Sequence, residues 1–572
     1  MTDPRPAPAP LGTARREPTA VDAVAERWFA RAMELDPARA TLHGFPGHET
    51  EYRDFGPEGQ EAYAGSALAA LAELGRTEPA DDVDRVTVHA MRERLGLELE
   101  LHEAGLTGWD VNNLASPVQE IRDVLDDMPQ ESPEDWAHVA GRLANVPAAV
   151  GSYVRALREA RSRGRSASGA QLRNAAGLAE GYAAADGSFA LLAADPRAPE
   201  ELRGRLTAAA GAARGAYRDL AGVLREELAP GARESDAVGP DVYALRLREF
   251  LGAALDPAEV YAWGVEQLRV VVAEQEALAR RIAPGATVRE AMAALDADPA
   301  RRLRGTDALR AWMQELSDAA VDALAGTHFE LTAPMRRLEC RIAPTHDGGI
   351  WYSPPSADFS RPGRMWWSVP EGVDSFATWQ ETTTVYHEGV PGHHLQVATA
   401  IANAGELNRW RRLGVWVSGH GEGWALYAER LMDELGHLQD PGDRMGMLDA
   451  QRLRTARVVF DVGFHCGFRI PPELGDALGG ARPGEVWSPG DGWRFLRENV
   501  VMDDATLRFE WLRYMGWPGQ APSYQLGRRL WEQARDAARA AAGRGFRLED
   551  FHSRALRLGS VGLDTLEFAL NL

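Results

Sequence analysis

Apolar positions recur three and four residues apart from about Val21 to Leu324, with Ala, Leu, Arg and Glu dominating. In segments such as Ser66 to Glu73, Val86 to Glu103 and Val260 to Arg281 this spacing lays one apolar stripe along a helix, and Pro or Gly punctuates the gaps. No repeat of fixed length appears, so a regular solenoid is not supported. Between Thr327 and Val369 the pattern changes. His328-Phe-Glu-Leu-Thr, Arg337 to Ile342, Gly349-Ile-Trp-Tyr and Met365-Trp-Trp-Ser-Val are rich in β-branched and aromatic residues and read as three or four short strands between turns. Helical patterning returns beyond Trp379 and runs to about Ala542, interrupted by a Pro/Gly-rich loop from Pro471 to Gly492, and the last thirty residues hold a further helix. The expected fold is mainly α, a large multi-helix fold with a small β-sheet beside the helices that follow it. Residues 1–19 are expected to be a disordered lead, 20–325 a helical region covering a cleft, and 326–572 the catalytic region.

The helices after the strands carry the chemistry. Thr384-Val-Tyr-His-Glu-Gly-Val-Pro-Gly-His-His-Leu-Gln396 holds a His-Glu pair followed shortly by two more histidines. In zinc hydrolases two imidazoles bind the metal and a glutamate beside the first acts as base towards the metal's water. The usual second histidine lies four residues after the first, on one helix face; here that position is Pro391, and His393 and His394 come six and seven residues after His387. An undistorted helix cannot bring either onto a metal held by His387. Proline breaks the helical ladder and glycine permits unusual backbone angles, so a bulge at Pro391-Gly392 is expected to restore His393 as the second ligand, with His394 the alternative. The following segment, Ser418-Gly-His-Gly-Glu-Gly-Trp-Ala-Leu-Tyr-Ala-Glu-Arg430, places Glu422 and Glu429 seven residues apart, two turns along one face. Glu422 is the expected third ligand, and Glu429 the carboxylate that holds a ligating imidazole in its tautomer.

These segments, with Tyr352-Ser-Pro-Pro, Arg361-Pro-Gly, Arg457-Val-Val-Phe-Asp-Val-Gly-Phe-His465 and Pro518-Gly-Gln-Ala-Pro-Ser-Tyr524, resemble the bacterial domain-of-unknown-function 885 family over roughly Val21 to Phe568. The resemblance implies a zincin-like fold in the gluzincin-type metallopeptidase group, with His387, His393 and Glu422 as ligands of Zn²⁺ or another divalent transition metal, and Glu388 as base. It also implies His465 and Tyr524 as donors to the developing oxyanion. Cys466-Gly-Phe-Arg after His465 departs from the small or polar residue leading to Gly-Trp that the family pattern implies. Arg361, Arg457 and Arg469 are candidates for clamping a substrate carboxylate. The reaction expected is hydrolysis of short peptides, by a carboxypeptidase or oligopeptidase. The alternatives are hydrolysis of a small amide or metabolite conjugate, and a helical binding protein with a degenerate site.

Composition narrows these readings. A chain of 572 residues exceeds what one core usually serves. All 63 basic residues are arginine, which removes Schiff-base chemistry, lysine-anchored pyridoxal phosphate, a Walker-type lysine and a Ser-Lys dyad. A formal charge of −21 argues against a nucleic-acid partner. Cys340 and Cys466 form neither a disulfide framework nor a four-cysteine cage, and are expected to be buried free thiols. No run reaches the roughly 20 apolar residues of a membrane span, and Met1 to Thr19 shows no apolar signal segment, so a cytoplasmic protein is expected. The oligomeric state is open.

Overall fold

Helices with one apolar stripe must bury it against one another, and the 22 α-helices among the described residues do so around several cores. The computed structural model describes residue 11 and residues 15–345 and 349–572. The fold is mainly α, with a small sheet. The largest core joins Val21, Trp28, Met91 and Leu251 to Trp379, Leu395, Trp424, Trp531 and Leu566, so it runs through both sides of residue 325. A second, around Trp136, Tyr153 and Tyr217, belongs to the N-terminal helices alone. A third packs the helix Pro257–Ile282 and the long helix Pro441–Cys466 with Phe495, Tyr514 and their neighbours. The helices of the sequence pattern appear as Pro57–Leu74, Asp82–Glu103 and Pro257–Ile282, and the final residues hold two helices, Leu548–Leu556 and Leu563–Asn571. None is long and apolar enough among the described residues to cross a membrane.

Of the expected lead, residues 1–10 and 12–14 lie outside the described residues. Arg16 is held by Asp22 and Asp81, each at 2.5 Å, and by Asp84, and this ties the start of the chain to the first turns of two helices.

Three of the expected strands form. Leu338–Ile342 pairs in parallel with Gly363–Trp367, which pairs antiparallel with Ile350–Ser353. The fourth does not: His328 to Thr332 makes only an isolated bridge between Ala325 and Phe329, because Phe329 turns inward to pack on Trp424 and His552. A separate two-stranded pair joins Arg302–Arg304 to Ser375–Ala377. The sheet's inner residues Leu338, Cys340, Met365 and Trp367 pack with Leu309 and Met313 against Val385, which fixes the helix that carries His387. Both cysteines are free; Cys340 is buried and Cys466 half-buried.

The helices Ser418–Glu434 and Ser523–Ala542 cross at glycines. A Cβ at Gly423 would lie 2.3 Å from the carbonyl carbon of Gly527, and one at Gly527 would lie 2.0 Å from the carbonyl oxygen of Gly419. Both obstacles are backbone, so neither can rotate away. Gly527→Ala is therefore expected to destabilise the protein by about 1–3 kcal/mol, despite a helix-propensity gain of roughly 1 kcal/mol. Denaturant unfolding checks this; a variant as stable as the parent would show that the crossing tolerates a side chain.

Candidate metal centre

The motif helix Thr378–Glu388 ends at the histidine and glutamate it delivers. Gly389 (φ −95°, ψ −128°) leaves the helical region, the Val390–Pro391 peptide is cis, Gly392 (φ −77°, ψ −131°) is again non-helical, and a new helix starts at His393. The expected bulge is thus a complete break. A proline without an N–H and a residue without a Cβ make it possible, since a Cβ at Gly392 would sit 1.9 Å from the carbonyl oxygen of His387. Trp424 of the facing helix secures the break by donating its indole N–H to the Pro391 carbonyl at 2.8 Å.

The break brings the His393 ring to 4.8 Å from that of His387, at 88°. Glu422 Oε2 lies 3.3 Å from His387 Nε2 and 3.4 Å from His393 Nε2. Glu388 joins the two histidines in a buried group whose donor atoms all lie within 4.8 Å of one another. On the far side of His387, Nδ1 donates to Glu429 Oε1 at 2.8 Å, and Thr383 Oγ1, one turn earlier on the motif helix, donates to Glu429 Oε2 at 2.6 Å. Glu429 is completely buried, whereas the Glu422 side chain is 17% exposed, so the cluster opens to solvent on the Glu422 side.

The electrostatics follow from this packing. Burial lowers the His387 imidazole, but Glu422, Glu429 and Glu388 outweigh it and raise it to about 10. Burial raises Glu422, and His393 and His387 reverse this to hold its carboxyl far below the usual range. Burial pushes Glu388 up, opposed by His393, His387 and Arg454 and reinforced by Glu422. With Glu429 fixing the hydrogen on Nδ1, a neutral His387 aims its Nε2 lone pair at a carboxylate. That pairing is repulsive unless a cation stands between them, whether a proton or a metal ion. Imidazole and carboxylate donors in a buried group suit zinc and related divalent metals. The residues present therefore fit such an ion: His387 and His393, with Glu422 or Glu388, could hold it.

Other sequence candidates separate. His394 faces away from the cluster: Nδ1 lies 3.0 Å from the Tyr352 hydroxyl and Nε2 donates to the Met335 carbonyl at 2.8 Å, so both nitrogens are engaged and the alternative ligand is set aside. Burial lowers it to about 4. The room for it comes from Gly363, where a Cβ would lie 2.6 Å from His394 Nδ1. His465 is a core residue, donating from Nε2 to the Tyr514 carbonyl at 2.8 Å and stacking on Tyr243, which leaves no basis for its expected role at an oxyanion. Tyr524 lies under the guanidiniums of Arg454 and Arg457, 6.0 and 5.3 Å from its ring centre; burial raises its phenol and Glu422 adds to this. Arg457 is committed to Tyr514 (2.6 Å) and Glu510 (2.7 Å), and exposed Arg469 to the Gly484 carbonyl (2.6 Å) on the Pro/Gly loop. Arg361 makes no salt bridge among the described residues and acts on Tyr352, whose phenol burial raises, Arg361 lowers and Glu388 raises. Thr383 was missed in the sequence, while Tyr352 and Trp424 stood in quoted segments without a role. Thr383 stands four residues before His387, a spacing that could have shown it.

A family model described as "Bacterial protein of unknown function (DUF885)" matches residues 37–570. No curated protein matches. Among solved structures, a putative lipoprotein from Colwellia psychrerythraea is similar at 21% identity and TM-score 0.81, covering 96% of this chain and 98% of that one. A putative lipoprotein of unknown function from Shewanella oneidensis is similar at 15% identity and TM-score 0.71, covering 96% and 100%. These likenesses are of fold.

Two outcomes test the geometry. Glu429→Gln is expected to weaken zinc affinity about 10–100-fold, as loss of an outer partner usually does, read by competition with a chromophoric chelator; unchanged affinity would detach Glu429 from the centre. Glu510, which burial raises, is held down to about 2 from an ordinary 4.5 by Arg457, Arg513 and Tyr514. A depressed carboxyl stabilises the fold above its unfolded value and loses that contribution as pH falls through its folded value. Glu510→Gln should therefore lose roughly 3–5 kcal/mol at neutral pH. Its gap to the parent should close only as pH drops from 4.5 towards 2, as melting across that range shows; a gap independent of pH would contradict the pairing.

Proposed function

The chain belongs to the bacterial family of unknown function DUF885, and from that footing we propose that it is a zinc-dependent hydrolase cleaving peptide bonds in short peptides, gluzincin-like in site and zincin-like in fold. The observation that carries this reading is the convergence of His387 Nε2 and His393 Nε2 on Glu422 Oε2, at 3.3 and 3.4 Å, while the Glu388 carboxyl forms a buried group with the same two histidines.

His387, His393 and Glu422 would hold the ion, and Glu388, which shares the buried group with both imidazoles but is hydrogen-bonded to neither, is left free to move a proton. A zinc ion there supplies a Lewis acid that polarises a carbonyl and brings the pKa of water towards neutrality. Burial of Glu388 suits it to the other half of the task. A carboxyl pushed up from its ordinary value is a stronger base when ionised and a usable acid once protonated, so one side chain takes a proton from water and returns it to the departing amine nitrogen. Tyr524, whose phenol responds to the Glu422 charge, is the remaining candidate for donating to the oxygen on which charge develops, a contribution of about 3 kcal/mol for one such donor. Glu429 and Thr383 do no chemistry themselves; they hold the His387 ring with Nε2 aimed inward.

The test is digestion of a peptide library by zinc-loaded full-length protein, with products read by mass spectrometry. Cleavage by the parent and a fall of about 10²–10⁴-fold in Glu388→Gln, with zinc retained, is the expected result. A zinc-loaded parent that cleaves no peptide, or a Glu388→Gln variant as active as the parent, would overturn the reading.

A further inference from the structure

The long helix Pro441–Cys466 carries four arginines, and all but one have their guanidinium tied to side chains of other elements. Arg452 donates to Asn499 and Gln275, and Arg457 to Tyr514 and Glu510. Arg430, from the facing helix, is tied to Gln451 at 2.7 Å and Glu274 at 3.0 Å. Arg454 differs. Its single hydrogen bond is from Nη1 to the Ala450 carbonyl of its own helix at 3.2 Å, its Nε is buried without a partner, and it makes no salt bridge among the described residues. A guanidinium has five N–H donors, so most of this one's capacity is unspent. The omission is unusual in a chain with 84 acidic residues against 63 arginines.

Its position gives the omission meaning. The half-buried Arg454 lies over the Tyr524 ring, 6.0 Å from guanidinium carbon to centroid, while Arg457, one turn on, lies over the same ring at 5.3 Å. Arg457 is anchored and braces the tyrosine. Arg454 is near enough to Glu388 and Glu429 to lower both carboxyls, yet is bonded to neither. A planar cation stacked on an aromatic ring, close to the cluster and with its Nη2 donors unbonded, keeps capacity for the parallel hydrogen bonds that take a carboxylate.

We propose that Arg454, steadied on Tyr524, is the anchor for the free C-terminal carboxylate of the peptide, so that the preferred substrates are peptides ending close to the bond that is cut. This rests on the hydrolase reading for its purpose but not for its test, which reads binding. N-acetylated tripeptides from a positional library, each as free acid and as C-terminal amide, are titrated calorimetrically into zinc-loaded full-length Glu388→Gln protein, with and without Arg454→Gln or Arg454→Lys. The free acids should bind at least about tenfold more tightly than the amides, equivalent to about 1.4 kcal/mol. Arg454→Gln should erase that preference while leaving zinc content and amide binding as they were. Arg454→Lys, which keeps the charge but not the fork, should retain a weakened preference and serves as the readout if the glutamine variant does not fold. A role in merely balancing the acidic cluster would shift zinc content or stability and leave the acid-to-amide ratio intact. Equal binding of acids and amides, binding of neither, or a preference that survives Arg454→Gln overturns the anchor. The same peptides offered to protein carrying Glu388 separate the two readings: acids bound through Arg454 yet left uncut would defeat the hydrolase and keep the anchor.

Discussion

The arrangement depends on a carboxylate that water never reaches. Glu429 is completely buried, and a buried charge is tolerated only when it is paired and hydrogen-bonded. Its two oxygens are met by His387 Nδ1 and Thr383 Oγ1, at 2.8 and 2.6 Å, both donors coming from the motif helix. Satisfying Glu429 thus fixes the tautomer and direction of His387, and the ring's other nitrogen has to face Glu422 two turns away on the glutamate helix. The electrostatic character of the site follows from that geometry: a lone pair and a carboxylate directed at one another define a place for a cation.

The second imidazole arrives by a different physical route. A helix cannot bring residues six apart onto one point, so the chain stops being a helix between Glu388 and His393. Pro391 withholds an N–H, Gly392 occupies a position where any side chain would strike the His387 carbonyl, and the Trp424 indole holds the Pro391 carbonyl from across the cleft. Trp424 shares its helix with Glu422 and Glu429, and glycines let that helix lie against the one bearing Tyr524. One backbone crossing therefore sets the positions of Glu422, Glu429, Trp424 and Tyr524 together.

Much of this was legible in the sequence, and the failures have identifiable causes. Helical periodicity is carried by many residues at once, so the long elements and the mainly α character could be read directly. The short strands were visible through aromatic and β-branched runs, except at His328 to Thr332, where one large residue, Phe329, was needed by the core rather than by a sheet. Within the site, the pairing of Glu422 with Glu429 followed from their spacing. The distinction between His393 and His394 did not, because it is made by Tyr352 and Met335, some forty to sixty residues upstream. His465 and Arg457 were overvalued for the same reason: a buried polar residue is satisfied by whatever the fold brings to it, and here that is the Tyr514 carbonyl and the Glu510 carboxylate. Arg454 was overlooked because the absence of a partner is a property of three dimensions alone.

His387, His393 and Glu422 converge closely enough to hold one divalent ion between them. Metal content by mass spectrometry, on full-length protein purified without chelator and compared with His387→Ala and His393→Ala, tests it most directly. About one zinc per chain in the parent, as in sites of this donor type, and its loss in both variants is the expected result. A parent that takes up no zinc even when it is added back, or variants that keep the parent's content, would contradict it.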